Sequence, residues 1–232
     1  MICLFSGYFF IPSRPPTEEK PKQIRYFDAF KQILTNKSAL ACLFGGTLAN
    51  ISFLAPVFAV SYYRLHFNAS LSEGAVFYSI VSAIGVLGVI LAGRSINRLG
   101  RKSVTVGAGV ISGFFAVLIA FMPNMWASAV MWMVSAGFGL ASIVGFNSLT
   151  LEQVPGFRGT MMSLNSSFRS IGFIAGLMIS GLLLDLYANN FQILYAMFGG
   201  AGVASAAVVF FFAADETKSA RAKTQNIKSV TQ

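Results

Sequence analysis

Apolar residues fall in six long blocks separated by short polar connections. The blocks run at about 38–63, 73–93, 103–122, 126–150, 160–184 and 191–213. Each is roughly 19–26 residues long, enough for a helix to cross a ~30 Å hydrocarbon core with some tilt. The connections are RLHFNASLS, RSINRLGRK, PNM, LEQVPGFRG and DLYANN. Loops that short permit only helical hairpins, so consecutive helices are expected to be antiparallel.

Two weaker segments precede the first block. Residues 1–11, MICLFSGYFFI, supply about half the ~20 residues a spanning helix needs and read as the end of a truncated membrane helix. Pro12, Pro15 and Pro16 close that segment, and a polar stretch follows. Residues 24–35 then have the period of an amphipathic helix. Tyr26, Phe27, Phe30, Ile33 and Leu34 share a ~120° sector opposite Arg25, Asp28, Lys31, Gln32 and Thr35. Such a helix suits the membrane interface and would lead into the first span.

Composition agrees with the pattern. Of the 232 residues, 55% are hydrophobic and 11% charged, against about 25% charged in a soluble domain. The fold class is therefore all-α integral membrane protein, with the lipid bilayer as its first partner. The formal charge of +9 has a topological cause. Arg14, Lys20, Lys22, Arg25, Lys31 and Lys37 precede the first span. Arg94, Arg98, Arg101, Lys102 and Arg158 lie in loops on that same side, and Lys218, Arg221, Lys223 and Lys228 lie in the tail. Only Arg64 falls opposite, and Arg169 falls within a span. The positive-inside rule then puts both termini in the cytoplasm, and the plasma (cell) membrane is the expected location. With the basic residues assigned to topology, no nucleic-acid partner is expected. Cys3 and Cys42 lie in apolar segments and His66 is alone, so neither a metal nor a cofactor is expected. No carboxylate pair, Ser/His/Asp set or Cys/His cluster offers hydrolytic chemistry, so an enzyme is not expected. No basic n-region or cleavage site marks a signal peptide.

Two loops carry recognisable motifs. The connection between the second and third spans reads Gly93-Arg-Ser-Ile-Asn97-Arg98-Leu-Gly100-Arg101-Lys102. It resembles the cytoplasmic signature G-x-x-x-D-R-x-G-R-[RK] of the major facilitator superfamily, with Asn97 in the place of Asp. In this pattern Gly93 lets helices approach, Gly100 permits a tight turn, and the basic residues meet helix C-termini or carboxylates. The loop Glu152-x-x-Pro155-x-x-Arg158-Gly159 is similar to the one before the superfamily's eleventh helix. Glu216-Thr217-Lys218 resembles its C-terminal E-T-K. The sugar-porter branch differs, since it has Pro where Asp215 stands and a paired glutamine that LFGGTLAN lacks.

The resemblance aligns the chain with the C-terminal six-helix half of a twelve-helix transporter. It implies two inverted three-helix repeats, at about 38–122 and 126–213. Residues 12–37 become the cytoplasmic inter-half loop, 38–213 the transmembrane domain, and 214–232 a cytoplasmic tail. It also gives meaning to polar residues within spans, which are expensive there. Asn50, Tyr78, Asn147, Asn165 and Arg169 become substrate-cavity candidates, with Pro56 a kink in the first span. Gly93, Asn97, Arg98, Gly100, Arg101 and Lys102 form one cytoplasmic gating loop. Glu152, Pro155, Arg158 and Gly159 form the second. The third and sixth spans carry only small polar residues, such as Thr105, Ser112 and Ser205. That fits the arrangement the resemblance implies, with the first two helices of each triplet bordering the cavity and the third facing lipid.

Arg169 stands apart from the other candidates. At 100° per residue Asn165, Arg169, Gly172 and Gly176 lie within ~60° of one another, so the charge is on a packed or cavity-lining face. No acid in the chain shares its depth; Asp185 is about 24 Å along the helix. The expected partner of Arg169 is an anionic group on a solute or an acid on another six-helix half. The plainer alternative is hydrogen bonding to carbonyls of a neighbouring helix. Function under the resemblance is secondary transport of a small metabolite, organic anion or drug by alternating access. Alternatives are a half-size homodimeric transporter, an inactive fragment of a split or truncated gene, and a membrane scaffold without transport.

Overall fold

The computed structural model describes residues 26–187 and 190–214. The expected half-helix at 1–11, the stretch to residue 25 and the tail beyond Ala214 lie outside these residues. Eight α-helices make up the described part: α1 (Tyr26–Thr35), α2 (Lys37–Ser52), α3 (Ala55–Phe67), α4 (Leu71–Leu99), α5 (Arg101–Ile119), α6 (Met125–Gln153), α7 (Arg158–Leu186) and α8 (Phe191–Phe212). Helices α2 and α3 together form the first span, so six segments are long and apolar enough to cross a membrane. The second and fourth spans run well past the expected ends, to Leu99 and Gln153.

Local chemistry explains where helices begin. Asn36 Oδ1 accepts from the amides of Ser38 and Ala39, and Asn124 Oδ1 accepts from Ala127 N. Asn190 does the same for Gln192. Ser70 and Glu73 form a reciprocal capping box at the start of α4. Each satisfies amides that the first turn leaves unpaired. Gly100, at φ 90°, makes the one-residue turn between α4 and α5, a conformation that favours glycine. The first span breaks at Phe53–Leu54, and Pro56 sits in the first turn of α3. Proline is tolerated there because its missing N–H has no intrahelical role.

The helix pairings have an internal symmetry. The strong contacts are first span with fifth, second with fourth, third with fourth, first with sixth, and third with sixth. Exchanging the two triplets of spans maps first–fifth onto fourth–second and third–fourth onto sixth–first, and leaves third–sixth unchanged. That is the packing two related three-helix units give when they share one bundle.

Small residues set the close approaches, as in other membrane bundles. A Cβ at Gly199 would lie 2.4 Å from Gly113 O where α5 crosses α8. A Cβ at Gly172 would lie 2.3 Å from Thr47 O where α7 crosses α2. Two clusters fill the interior. One joins Tyr62, Tyr63, Trp132, Tyr195 and Phe198 toward one end, with Tyr62 donating to Ile119 O and Tyr195 to Ala55 O. The other joins Ile33, Cys42, Leu43, Phe146 and Met161 at the loop end. Helix α1 thus contributes Ile33 and Ala29 to the protein interior, while Phe30 and Leu34 stay exposed on its outer side.

Candidate functional site

Three in-span polar residues from three different helices converge. Asn50 lies on α2, Asn147 on α6 and Arg169 on α7. One guanidinium nitrogen of Arg169 donates to Asn147 Oδ1 at 3.3 Å, and the other terminal nitrogen to Asn50 Oδ1 at 3.5 Å. Asn50 Nδ2 in turn donates to the main-chain carbonyl of Arg169 at 2.6 Å. One turn away, Thr47 donates to Phe168 O at 3.2 Å. Arg169 is half-buried and has no ion pair among the described residues. Its guanidinium donates to neutral side-chain oxygens, not to the neighbouring-helix carbonyls of the plainer alternative.

The glycine face of α7 positions this group. Gly172 and Gly176 abut Thr47 and Ile51 of α2 and Leu54 in the break that follows it, which fixes the helix rotation that points Arg169 toward Asn50. Asn165, one turn before Arg169, takes no part in the hydrogen-bonded set. It is 2% exposed and packs beside Gly46, where a Cβ would meet its Oδ1 at 3.0 Å. Among the described residues its Oδ1 is the one buried side-chain polar atom with no hydrogen-bond partner.

A cavity of about 240 Å³ begins one turn from this triad. Its wall includes Phe53, Ile143 and Phe173, which follow Asn50 by three positions, precede Asn147 by four and follow Arg169 by four. On all three helices such residues share a face with the triad member. Tyr78, 41% exposed, lies in this cavity wall against Trp132, with ring centroids 5.9 Å apart. Tyr78 is therefore part of the cavity but not of the arginine cluster.

The cavity also has hydroxyl groups from the third and sixth spans. Ser112 and Ser135 exchange bonds with each other's carbonyls, at 2.8 and 3.0 Å. Ser142 donates to Thr105 O, and Ser205 to Gly45 O. The sequence expectation that the third helix of each triplet faces lipid is incomplete: one side of α5 and of α8 lines the interior. Hydroxyls at helix spacing among apolar neighbours were the available signal, but serine in a span is ordinary packing material.

The two motif loops meet at the opposite end of the bundle from the aromatic cluster. Arg101 forms an ion pair with Glu152 and donates to Ser148 O at 3.3 Å. Lys102 donates to Ala213 O at 2.6 Å, at the C-terminus of α8, and lies over the Phe210 ring, a favourable place for a cation. Asn97 and Arg98 are exposed and join neither contact. Gly93 is exposed and a Cβ there would meet nothing, so the expected helix approach at Gly93 is not made to any described residue. In the second loop Pro155 opens a 3-10 turn, and Arg158 and Gly159 begin α7, exposed. Beyond these, Gln153 ties the same end together. It bonds Ser38, Leu149 O and Ala214 O, and its own carbonyl accepts from Asn36. The hydropathy pattern does not single it out, because it follows the expected end of the fourth span at 150.

Comparison with known proteins agrees with this architecture. The Major Facilitator Superfamily profile matches residues 1–155 and 40–231. The inner membrane transport protein YnfM of Escherichia coli is 29% identical over 142 residues, 60% of this chain and 33% of that protein. A gentisate transporter of Corynebacterium glutamicum is 36% identical over 70 residues, 30% of this chain and 16% of its own length. The chain thus spans a third or less of these relatives. The crystal structure of a D-xylose-proton symporter superposes with a TM-score of 0.53 at 18% identity, covering 89% of this chain and 53% of the symporter. These are membrane transport proteins and not enzymes. The chain belongs to the Major Facilitator Superfamily.

Proposed function

We propose that this chain is the C-terminal six-helix half of a transporter for a small organic anion, working by alternating access. The observation that carries the reading is Arg169, held between Asn50 and Asn147 with no carboxylate partner among the described residues. A guanidinium half-removed from water attracts an anion strongly, because its contacts here are dipoles and not charges. The carboxylate or comparable group of a solute would meet Arg169, and the rest of the solute would extend into the cavity beyond Phe53 and Phe173. At about 240 Å³ that cavity suits a small body, since roughly 150 Å³ admits benzene. The name of the Corynebacterium relative, a gentisate transporter, agrees with an anionic cargo.

Tyr78, Asn50 and Asn147 complete the proposed lining, with Asn165 packed behind them against Gly46. A second six-helix bundle would close the open side, where Phe53, Val57 and Tyr78 are 43%, 54% and 41% exposed. Either an N-terminal half or another copy could serve. In the proposed mechanism this bundle rocks against its partner around the midplane. The Arg101–Glu152 and Lys102–Ala213 contacts would keep its loop end rigid, as the gating loops of the family pattern imply. That end faces the cytoplasm of a plasma-membrane protein by the distribution of basic residues.

The test is uptake and efflux by the assembled transporter in proteoliposomes, comparing small carboxylates, gentisate included, with lipophilic cations. Preference for carboxylates that disappears in Arg169→Ala supports the reading. Wild-type transport in both Arg169→Ala and Arg169→Lys would end it.

A further inference from the structure

Helix α4 turns two faces to two different surroundings. Tyr78, Ser82 and Gly85 line the hydroxyl-rich cavity. Ile84, Leu87 and Leu91 lie well over 100° round the helix and line a separate groove of about 500 Å³. Helices α4 and α5 form its walls. Both rest extensively on α6 but touch each other little, so α6 is the floor. Gly88 draws α4 onto α6, since a Cβ there would lie 2.1 Å from Gly137 O. At Gly107 and Gly137, by contrast, a Cβ would meet open space. The trough exists because two of its own residues lack side chains.

Its rim is apolar and uncovered: Leu87, Leu91 and Leu99 are 57%, 60% and 63% exposed. The hydroxyls in its wall, Ser95 and Ser103, are confined to the end where the 94–102 connection lies. From Ile84 to Leu99 it extends about 22 Å along α4. That length covers the ~15 Å hydrocarbon half of one leaflet and part of its headgroup layer.

The basic residues of the connection divide into two pairs. Arg101 and Lys102 turn into the bundle and are engaged by Glu152 and Ala213 O. Arg94 and Arg98 are exposed, with no ion pair among the described residues. On the helical wheel Arg98 falls within ~20° of Leu91 and Arg94 within ~60°. Arg98 therefore lies on the groove face of α4 and Arg94 at its edge, both at the depth of the end of the trough lined by Ser95 and Leu99. A water-soluble solute would find no polar partner along most of its length, and a neighbouring helix would need an acid at that one depth. An amphiphile that lays one flexible chain in the trough and carries an anionic head satisfies both ends.

We propose that this groove is a binding site for an anionic glycerophospholipid. One acyl chain lies along Gly137 and Gly107, and the phosphate sits against Arg94 and Arg98. The site is distinct from the Arg169 cavity and does not depend on what that cavity carries.

The test is native mass spectrometry of the full chain in mild detergent with equal amounts of dioleoyl phosphatidylglycerol and dioleoyl phosphatidylcholine. The wild type should retain phosphatidylglycerol preferentially. Arg94→Gln with Arg98→Gln should lower that preference by about fivefold per arginine, the size expected for a basic residue at a membrane surface. Gly107→Leu should fill the trough and lower phosphatidylglycerol retention while leaving Tm unchanged, because the space there is open. Equal retention of the two lipids by the wild type would overturn the proposal in favour of ordinary annular lipid. Unchanged preference in the double variant would overturn it as well. A dimer that Gly107→Leu dissociates would overturn it in favour of a second copy covering the groove.

Discussion

Asn50 grips Arg169 from two sides: its Nδ2 donates to the arginine's own carbonyl at 2.6 Å, while its Oδ1 lies 3.5 Å from a guanidinium nitrogen. The first contact is short and joins α2 to the backbone of α7. The second is at the long limit for a hydrogen bond. The backbone is therefore held firmly while the charge is held loosely, an arrangement that leaves donor capacity for another group. Asn50→Asp separates the two roles. It should supply Arg169 with a carboxylate and abolish carboxylate binding, the new ion pair offsetting the lost Nδ2 donation to the Arg169 carbonyl so that Tm changes little. Asn50→Ala should instead cost about 1 kcal/mol of stability, the usual size of an interhelical hydrogen bond in a membrane. Thermal unfolding and ligand titration on both variants check this.

Gly172 sets the distance between α7 and α2. Because a Cβ there would lie 2.3 Å from Thr47 O, and the obstacle is backbone, Gly172→Ala should cost at least the upper part of the about 1–3 kcal/mol typical of overpacking. Gly181→Ala, in open space on the same helix, is the control and should be neutral or slightly stabilising. The Tm of the two variants distinguishes local crowding from loss of glycine as such.

The Arg101–Glu152 pair joins the two motif loops but is partly exposed, at 34% and 19% of the side chains. A double-mutant cycle with Arg101→Gln and Glu152→Gln should give a coupling of at most about 1 kcal/mol, reduced by salt. Its expected importance is geometric. Transport should fall more than stability in each single variant, and the exchanged pair Arg101→Glu with Glu152→Arg should recover part of it.

Gln153, 4% exposed, links α2, α6 and the end of α8. Gln153→Leu leaves buried partners unsatisfied, at about 1–3 kcal/mol. It should lower Tm while leaving carboxylate binding by the purified chain intact, since the Arg169 cluster involves other residues.

Much of the fold was legible because a bilayer demands long apolar runs, and the six spans stand at the expected places. The face of α7 that carries Arg169 was legible too, since Gly172 and Gly176 mark a packed side. What periodicity does not encode is which face of one helix meets which face of another. The convergence of Asn50 and Asn147 on Arg169 was therefore invisible until the helices were packed. The isolation of Asn165 from that cluster was hidden for the same reason. Hydropathy likewise passed over Gln153, because a polar residue at a span end resembles loop. It also gave Ser112 and Ser205 to lipid-facing helices, because it averages the buried and exposed sides of α5 and α8.

The most direct measurement is carboxylate binding to the purified chain, followed by the fluorescence of Trp132 in the cavity wall, across a panel of small carboxylates with a lipophilic cation as reference. A hydrogen bond to a charged group contributes about 1.5–3 kcal/mol, so Arg169→Ala should weaken the bound carboxylate roughly 10- to 150-fold. Arg169→Lys should lie between, because it keeps the charge but loses the fork. Unchanged carboxylate affinity in Arg169→Ala, or binding of the cation and of no carboxylate, would contradict the assignment of Arg169 as the anion site.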